Sequence, residues 1–156
     1  MKIILGLFLC LILSLVAFGQ ARKPKSKTAP VAAEKSFPVA AKFVEKFGWH
    51  IDKSIAPIKV PMEFPKNFNG LPFYHYQSAS TSSGVDMTPL LGKKVKMLKY
   101  TLREKQTNRG TEITNFAHLI IENGAVVGAW QTDSSGASPG IYSFAQKKLY
   151  TGRANF

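Results

Sequence analysis

The stretch that decides the fold is residues 94–132, KVKMLKYTLREKQTNRGTEITNFAHLIIENGAVVGAWQT. Apolar and polar residues alternate along most of it, which is the period of a half-buried β-strand. Asn123-Gly124 is the strongest signal for a two-residue hairpin, because both positions of that turn favour a positive φ. The alternation changes phase between Met97 and Leu98, which indicates a bulge. Together with a polar turn before the second strand, these features predict a three-stranded antiparallel meander.

The hairpin turn also sets a predicted register for the last two strands. With Glu122 opposite Ala125, one face holds the pairs Ile121/Val126, Leu119/Gly128 and Ala117/Trp130. The other face then holds Phe116, His118, Ile120, Val127, Ala129 and Gln131. Since both faces carry apolar side chains, we expect helices to cover the first face. Loops or a partner should bury at least part of the second, because an isolated meander is not stable.

The segments before the meander are expected to supply its covering layer. Apolar residues follow one face of a helix from about 38 to 47, and Gly48 is a suitable left-handed stop. Pro57 and Pro61 interrupt the apolar residues Ile55, Ile58 and Val60, so this stretch predicts only a short, irregular or edge strand. An aromatic segment follows this helix and strand along the chain.

Aromatic residues are dense in 64–76, and a short helix is expected there over about 71–78. Clustered aromatic side chains of this kind are typical of a core. The predicted fold class is therefore α+β. It is a two-layer domain in which the N-terminal helix and the aromatic-rich helical segment pack on the three-stranded antiparallel meander, beside an extra edge strand.

The N-terminus has the pattern of a targeting segment. Met1-Lys2 is followed by an apolar run over 3–18 and by small residues before a cleavage site after Ala21, which predicts a secretory signal peptide over 1–21. The alternative is an uncleaved segment that anchors the chain in a membrane, although the run is shorter than the ~20 residues of a spanning helix. Residues 22–36 predict a basic disordered tether. Residues 37–156 remain as a single domain, secreted or located in the periplasm or cell envelope.

The cysteine and histidine content excludes several kinds of site. The one cysteine, Cys10, lies in the predicted signal peptide, so an intramolecular disulfide and metal sites built on two or more thiolates are excluded. His50, His75 and His118 lie in three separate predicted elements, without metal-ligand spacing. The sequence therefore predicts no metal and no cofactor.

Positive charge is divided between the tether and the domain. The chain has a formal charge of +12, and residues 37–156 hold 15 of the 21 Lys and Arg and 8 of the 9 Asp and Glu, hence +7. Two interpretations stay open for the densest cluster: lysines that protect a sheet edge from aggregation, or a patch that binds an anionic ligand. The cluster along the first meander strand and its turn comprises Lys93, Lys94, Lys96, Lys99, Arg103, Lys105 and Arg109.

Gly92-Lys93 superficially matches a phosphate loop, but the rest of that motif is missing. A phosphate loop requires four residues between its glycines and a Ser or Thr after the lysine, whereas Lys94 and a strand follow here. A structural role fits better, with Asp86 capping a one-turn helix over 87–91 that ends at Gly92. Nucleotide binding is therefore not predicted.

Residues 84–95, GVDMTPLLGKKV, form a G-x-D-[LM]-x4-G-K-x-V block that leads into the meander. Together with the matching positions elsewhere, this block resembles a family of small exported or lipoprotein-type domains of uncharacterised function, known mainly from Gram-positive bacteria. The resemblance covers roughly 43–133 and implies export and an α+β fold, but no catalytic residues. The sequence departs from it at Tyr74-His75-Tyr76-Gln77. The other matching positions are Phe47-Gly48-Trp49, Val60-Pro61, Tyr100, Asn123, Gly124, Val127 and Gly128.

The expected function is non-enzymatic binding of an envelope or extracellular partner. The partner would be an anionic envelope polymer, a lipid surface or a protein, whereas export argues against nucleic acid. One alternative is a hydrolase that uses the loop 132–140, with His118, Asp133 and Ser135 as its candidate residues. Another is a structural or inhibitory module, whose mark would be an exposed patch of Phe116, Ile120 and Val127.

Overall fold

The computed structural model describes residues 35–108, 110–136 and 140–146. The predicted signal peptide, most of the tether, Arg109 and part of the loop 132–140 lie outside the described residues. The helices are α1 Phe37–Glu45 and α2 Phe73–Ser82, with 3-10 helices at Thr88–Leu90 and Phe144–Gln146. The strands are β1 Ile58–Glu63, β2 Lys94–Asn108, β3 Thr111–Glu122, β4 Ala125–Asp133 and β5 Ile141–Tyr142.

The sheet has five antiparallel strands in the order β1-β2-β3-β4-β5. The predicted three-stranded meander is therefore wrong, and the α+β domain is dominated by its sheet. β1 forms a full edge strand because the proline at 61 needs no ladder hydrogen bond on the outer side. β5 is added by residues beyond the last predicted strand, through the pairs Gln131–Tyr142 and Thr132–Ile141.

The hairpin turn is confirmed, but the register changes within the hairpin. Asn123 and Gly124 have φ of 51° and 76°, and the pairs Glu122–Ala125 and Ile121–Val126 occur as predicted. A bulge then places Ile120 opposite Gly128. The predicted pairs Leu119/Gly128 and Ala117/Trp130 are wrong: the pairs are Leu119–Ala129, His118–Trp130 and Ala117–Gln131.

The bulge decides which side of the sheet Trp130 occupies. Val127 is the extra residue of β4, so every later side chain of that strand changes face relative to the prediction. A Cβ on Gly128 would lie 3.0 Å from Ile120 Cδ1, so the crossing point favours glycine. The bulge predicted between Met97 and Leu98 is also displaced, because the β2–β3 irregularity lies between Thr101 and Lys105.

α1 covers the first face, the one that carries Leu98 and Leu119. It begins with a proline in its first turn, and Gly48, with φ of 75°, follows its C-terminus. The predicted helix over 38–47 is thus confirmed within two residues. Its buried side chains join one core cluster with the sheet and with the second 3-10 helix: Phe37, Ala40, Phe43, Val44, Tyr100, Leu102, Leu119 and Phe144.

The second face, which carries Met97 and Ile120, has its own core. The aromatic segment, α2 and the first 3-10 helix cover it. The expectation that part of this face is buried is confirmed, whereas the prediction of one helical layer that holds both α1 and the aromatic segment is wrong. The predicted helix over 71–78 is present as α2, extended at its C-terminus. The buried residues of this second cluster are Phe64, Ala79, Met87, Leu90, Met97, Ile120 and Trp130.

Candidate functional site

The strand register divides the predicted basic patch between the two faces of the sheet. Side chains alternate along β2, so Lys94 and Lys96 lie on the first face together with Leu98. Lys99 lies on the second face, and so does Lys105, which donates to Thr114 Oγ1 at 2.9 Å. The patch is therefore two separate sets of charges. Lys93 and Arg103 are exposed beside them, and Arg109 lies outside the described residues.

β2 is an interior strand, hydrogen-bonded to β1 on one side and to β3 on the other. Lysines discourage aggregation when they lie on a strand whose backbone groups lack a partner. β2 pairs with β1 over residues 94–99 and with β3 over residues 97–101 and 105–108, so Lys94 and Lys96 lie outside the stretch that is paired on both sides. Edge protection and anion binding both stay predictions for this patch.

Pairing with β1 adds a lysine that the predicted patch did not include. Lys59 pairs with Leu98 and is thus the diagonal neighbour of Lys96, while Lys94 lies two residues farther along β2. Lys94 Nζ forms an ion pair with Glu63 Oε2 at 3.6 Å. Lys59, Lys94 and Lys96 are all exposed. We call these three residues the lysine face.

The charges on the second face are engaged with the protein. Lys99 Nζ lies 3.8 Å from the centre of the Phe116 ring, a cation–π contact. Lys105 Nζ lies 3.4 Å from Glu112 Oε1, in addition to its hydrogen bond with Thr114. These contacts hold both ammonium groups against β3. On the first face, Lys59, Lys94 and Lys96 are all exposed, which makes the lysine face a candidate surface for an external anion.

His118 lies in the centre of the second face and is only 8 % exposed. Its ring stacks on Trp130 at 5.5 Å, and Trp130 stacks in turn on Tyr76 of α2 at 4.5 Å. Its Nε2 lies 2.8 Å from Thr132 Oγ1, whereas its buried Nδ1 has no partner among the described residues. Burial, with a smaller contribution from the Lys99 charge, lowers the pKa of His118 to about 3. The imidazole is therefore neutral at physiological pH.

The three residues of the hydrolase alternative are not brought together. His118 bonds to Thr132, while Asp133 Oδ1 accepts hydrogen bonds from the backbone N–H and the hydroxyl of Ser135 within a local turn. Asp133 pairs with Asn115 and lies on the face opposite His118. The His118 imidazole, the base of the hydrolase alternative, is therefore not placed next to the serine hydroxyl.

The exposed apolar patch expected of a hairpin face that docks a partner is not fully present. Ile120 is fully buried beneath the first 3-10 helix, and Phe116 and Val127 are half-buried. Asp86 Oδ1 accepts from the backbone N–H of Thr88 at 2.9 Å and from its hydroxyl at 2.7 Å, in a local turn. The prediction that Asp86 caps a helix over 87–91 is wrong, because the helix is Thr88–Leu90 and its N-cap residue is Met87, without a side-chain capping bond.

Residues 43–131 match the model of a family described as a domain of unknown function, DUF4830. The chain belongs to this family. No curated protein and no solved structure matches the chain. The DUF4830 match begins within α1 and ends near the end of β4, so it includes the lysine face, His118 and Trp130. The resemblance noted in the sequence is thus confirmed at the level of a family of unknown function.

The described residues were also considered for metal-binding groups and for helices that could span a membrane. Across residues 35–108, 110–136 and 140–146, no group of three His, Cys, Asp or Glu side chains could hold a metal ion. In the same ranges, no helix is long and apolar enough to cross a membrane. His50 and Glu104 form an exposed pair at 2.7 Å, well away from His118 in the fold.

The DUF4830 domain also exposes an apolar feature that the sequence analysis missed. Leu71 is 75 % exposed and Tyr74 is 59 % exposed, at the junction of the aromatic segment with α2. The sequence placed both residues in an aromatic-rich stretch expected to form core. The signal that distinguishes them is their position around Gly70 and Pro72, where the chain turns into α2. We call Leu71, Pro72 and Tyr74 the apolar tip.

Proposed function

We propose that this DUF4830 domain is a non-catalytic binding module that acts outside the cytoplasm on an anionic, phosphate-bearing partner in the cell envelope. The lysine face is the proposed contact surface. The observation that carries the proposal is the placement of Lys59, Lys94 and Lys96 side by side on β1 and the interior strand β2.

Electrostatics favours an external anion at this surface. Like charges on neighbouring strands repel and destabilise a sheet, and the ion pair of Lys94 with Glu63, at 3.6 Å, is exposed. An exposed pair of this kind contributes little. A phosphate placed over the three ammonium groups would relieve their repulsion, and so the lysine face has a reason to bind one.

The proposed location rests on the N-terminal sequence. The apolar run over 3–18 with its basic start and small-residue cleavage site is typical of an exported chain. The basic tether, with a net charge of +4, would strengthen the attraction to the same partner. Phosphate groups outside the cytoplasm are carried by lipid headgroups and by envelope polymers, and both sources present the chemistry that lysines bind.

Binding to long-chain polyphosphate tests the lysine face directly. We expect the chain to bind at low ionic strength and to lose most of its affinity at moderate salt, because exposed charges are screened over about 10 Å at 0.1 M. The double variant Lys59→Gln/Lys96→Gln should bind up to about 30-fold more weakly, since each surface lysine contributes roughly 1 kcal/mol near an anionic surface.

The matched control is Lys42→Gln/Lys46→Gln, which removes the same charge from exposed positions of α1 or its C-terminus. This control should retain most of the affinity. Equal losses in the two double variants would mean that net charge alone drives binding. Absence of binding at low salt would refute the proposal.

A further inference from the structure

The apolar tip is exposed although it adjoins a well-packed aromatic core. Phe64 lies 5.3 Å from Phe73 and 6.3 Å from Phe68, and Phe73 lies 5.7 Å from Tyr76, all between ring centres. These rings fix the loop and the first turn of α2 from beneath. Leu71 and Tyr74 are thus held outward on a rigid support.

Apolar exposure at this position is not explained by the packing of the domain. Isolated exposed apolar side chains are common, but a leucine, a proline and a tyrosine that are all exposed within four residues make a contiguous patch. Tyrosine is enriched where proteins meet the headgroup region of a bilayer, and leucine inserts into the adjoining acyl region.

Basic residues lie at the base of the same loop. The backbone N–H of Phe64 donates to Lys93 O at 2.9 Å, and the N–H of Gly92 donates to Pro65 O at 3.0 Å. These bonds join the start of the aromatic segment to the residues before β2. Lys66 and Lys93 are both exposed, and they lie at these hydrogen bonds, at the base of the loop that carries the apolar tip.

We propose that the apolar tip inserts into the interfacial region of an anionic lipid bilayer, with Lys66 and Lys93 contacting the headgroups. The inference rests on the proposed function and names the source of its phosphate groups as a lipid. Charge complementarity selects an anionic bilayer, because apolar insertion and basic headgroup contacts reinforce each other on one surface. A polymer in solution offers no apolar layer for Leu71.

Tryptophan fluorescence can report insertion directly, because both native tryptophans, Trp49 and Trp130, are buried. The protein is purified as a secreting host releases it, and its intact mass shows whether residues 1–21 have been removed. In this protein, Leu71→Trp adds an exposed reporter. We expect its emission to shift to the blue on addition of phosphatidylglycerol/phosphatidylcholine vesicles. Ile58→Trp is the control, since Ile58 is 59 % exposed at the opposite end of β1 from Phe64. Its emission should not change.

Binding measurements complete the test. Leu71→Ser/Tyr74→Ser should weaken vesicle binding at least tenfold, as expected from the apolar area withdrawn from the bilayer, while Ile58→Ser should bind like the unmodified chain. Because all three side chains are exposed, thermal unfolding should show that every variant is folded. The double-serine variant should still bind polyphosphate with unchanged affinity.

The outcomes separate the two proposals. Polyphosphate binding without vesicle binding, or vesicle binding that the double-serine change leaves intact, would overturn the bilayer inference and leave the lysine face standing. Vesicle binding that depends on the apolar tip, but not on Lys59 and Lys96, would support insertion and refute the lysine face as the phosphate site.

Discussion

At the scale of single residues, His118 shows how burial fixes a protonation state. Burial lowers its pKa to about 3, against 6.5 for the ordinary side chain. The unfolded chain therefore takes up a proton on acidification before the folded one does, and the stability that His118 contributes above pH 6.5 is lost as the pH falls towards 3. We expect a loss on the order of 4 kcal/mol over this window, measured by urea unfolding.

The matched variant for this prediction is His118→Phe, which keeps a ring beside Trp130 and removes the titrating group. Its unfolding free energy should change much less between pH 7 and pH 4. Hydrogen bonds from Ser54 and Thr88 lower the pKa of Asp52 and Asp86, so these carboxylates lose stabilisation below about pH 4 in both proteins. Parallel pH dependences in the two proteins would contradict the assignment.

At the scale of elements, α2 seals the outer edge of β4 through one hydroxyl. β5 pairs with β4 at two positions only, which leaves the backbone N–H of Ala129 without a strand partner. Ser80 Oγ accepts from this N–H at 3.1 Å and donates to Val85 O at 2.9 Å, and Ser80 is fully buried. One side chain therefore satisfies the sheet edge and the turn after α2.

Replacing that hydroxyl tests the sealing of the edge. Ser80→Ala leaves a buried donor and a buried acceptor without partners, so we expect the free energy of unfolding to fall by about 1–3 kcal/mol. Amide exchange at Ala129 should accelerate with it. The neighbouring Thr81→Ala, at an exposed position, should change stability by less than about 0.5 kcal/mol. Equal effects at the two positions would show that helix propensity, and not the edge contact, is responsible.

The same elements show how far local sequence signals reach. The turn at Asn123-Gly124 and the helix before Gly48 were predictable, because turn geometry and helical period are local properties. The bulge at Val127 was not, because the extra residue is selected by the close contact of Gly128 with Ile120 across the hairpin. One shifted residue transferred Trp130 to the face of His118, so the stack with Tyr76 could not be foreseen.

At the scale of the whole molecule, the sequence predicts how much charge the domain carries but not where the charge converges. Side chains alternate along β2, so Lys96 and Lys99 lie on opposite faces. The contribution of Lys59 depends on its pairing opposite Leu98, a contact between distant segments that no local pattern specifies. The exposed placement of Leu71 likewise depends on tertiary packing, because aromatic density alone indicates a core.

The arrangement of charge has a consequence for stability that can be measured without any partner. Mutual repulsion within the lysine face should cost a few tenths of a kcal/mol at low ionic strength, so Lys59→Gln/Lys96→Gln should unfold at the same temperature as the unmodified chain or slightly higher. Polyphosphate that binds the folded lysine face more tightly than the unfolded chain should raise the Tm of the unmodified chain, with a gain that grows with the logarithm of its concentration. The double variant should lose most of that gain, while Lys42→Gln/Lys46→Gln keeps it. A double variant that is clearly less stable in the absence of ligand would show that the lysines serve the fold, and the binding role assigned to them would then lose its basis.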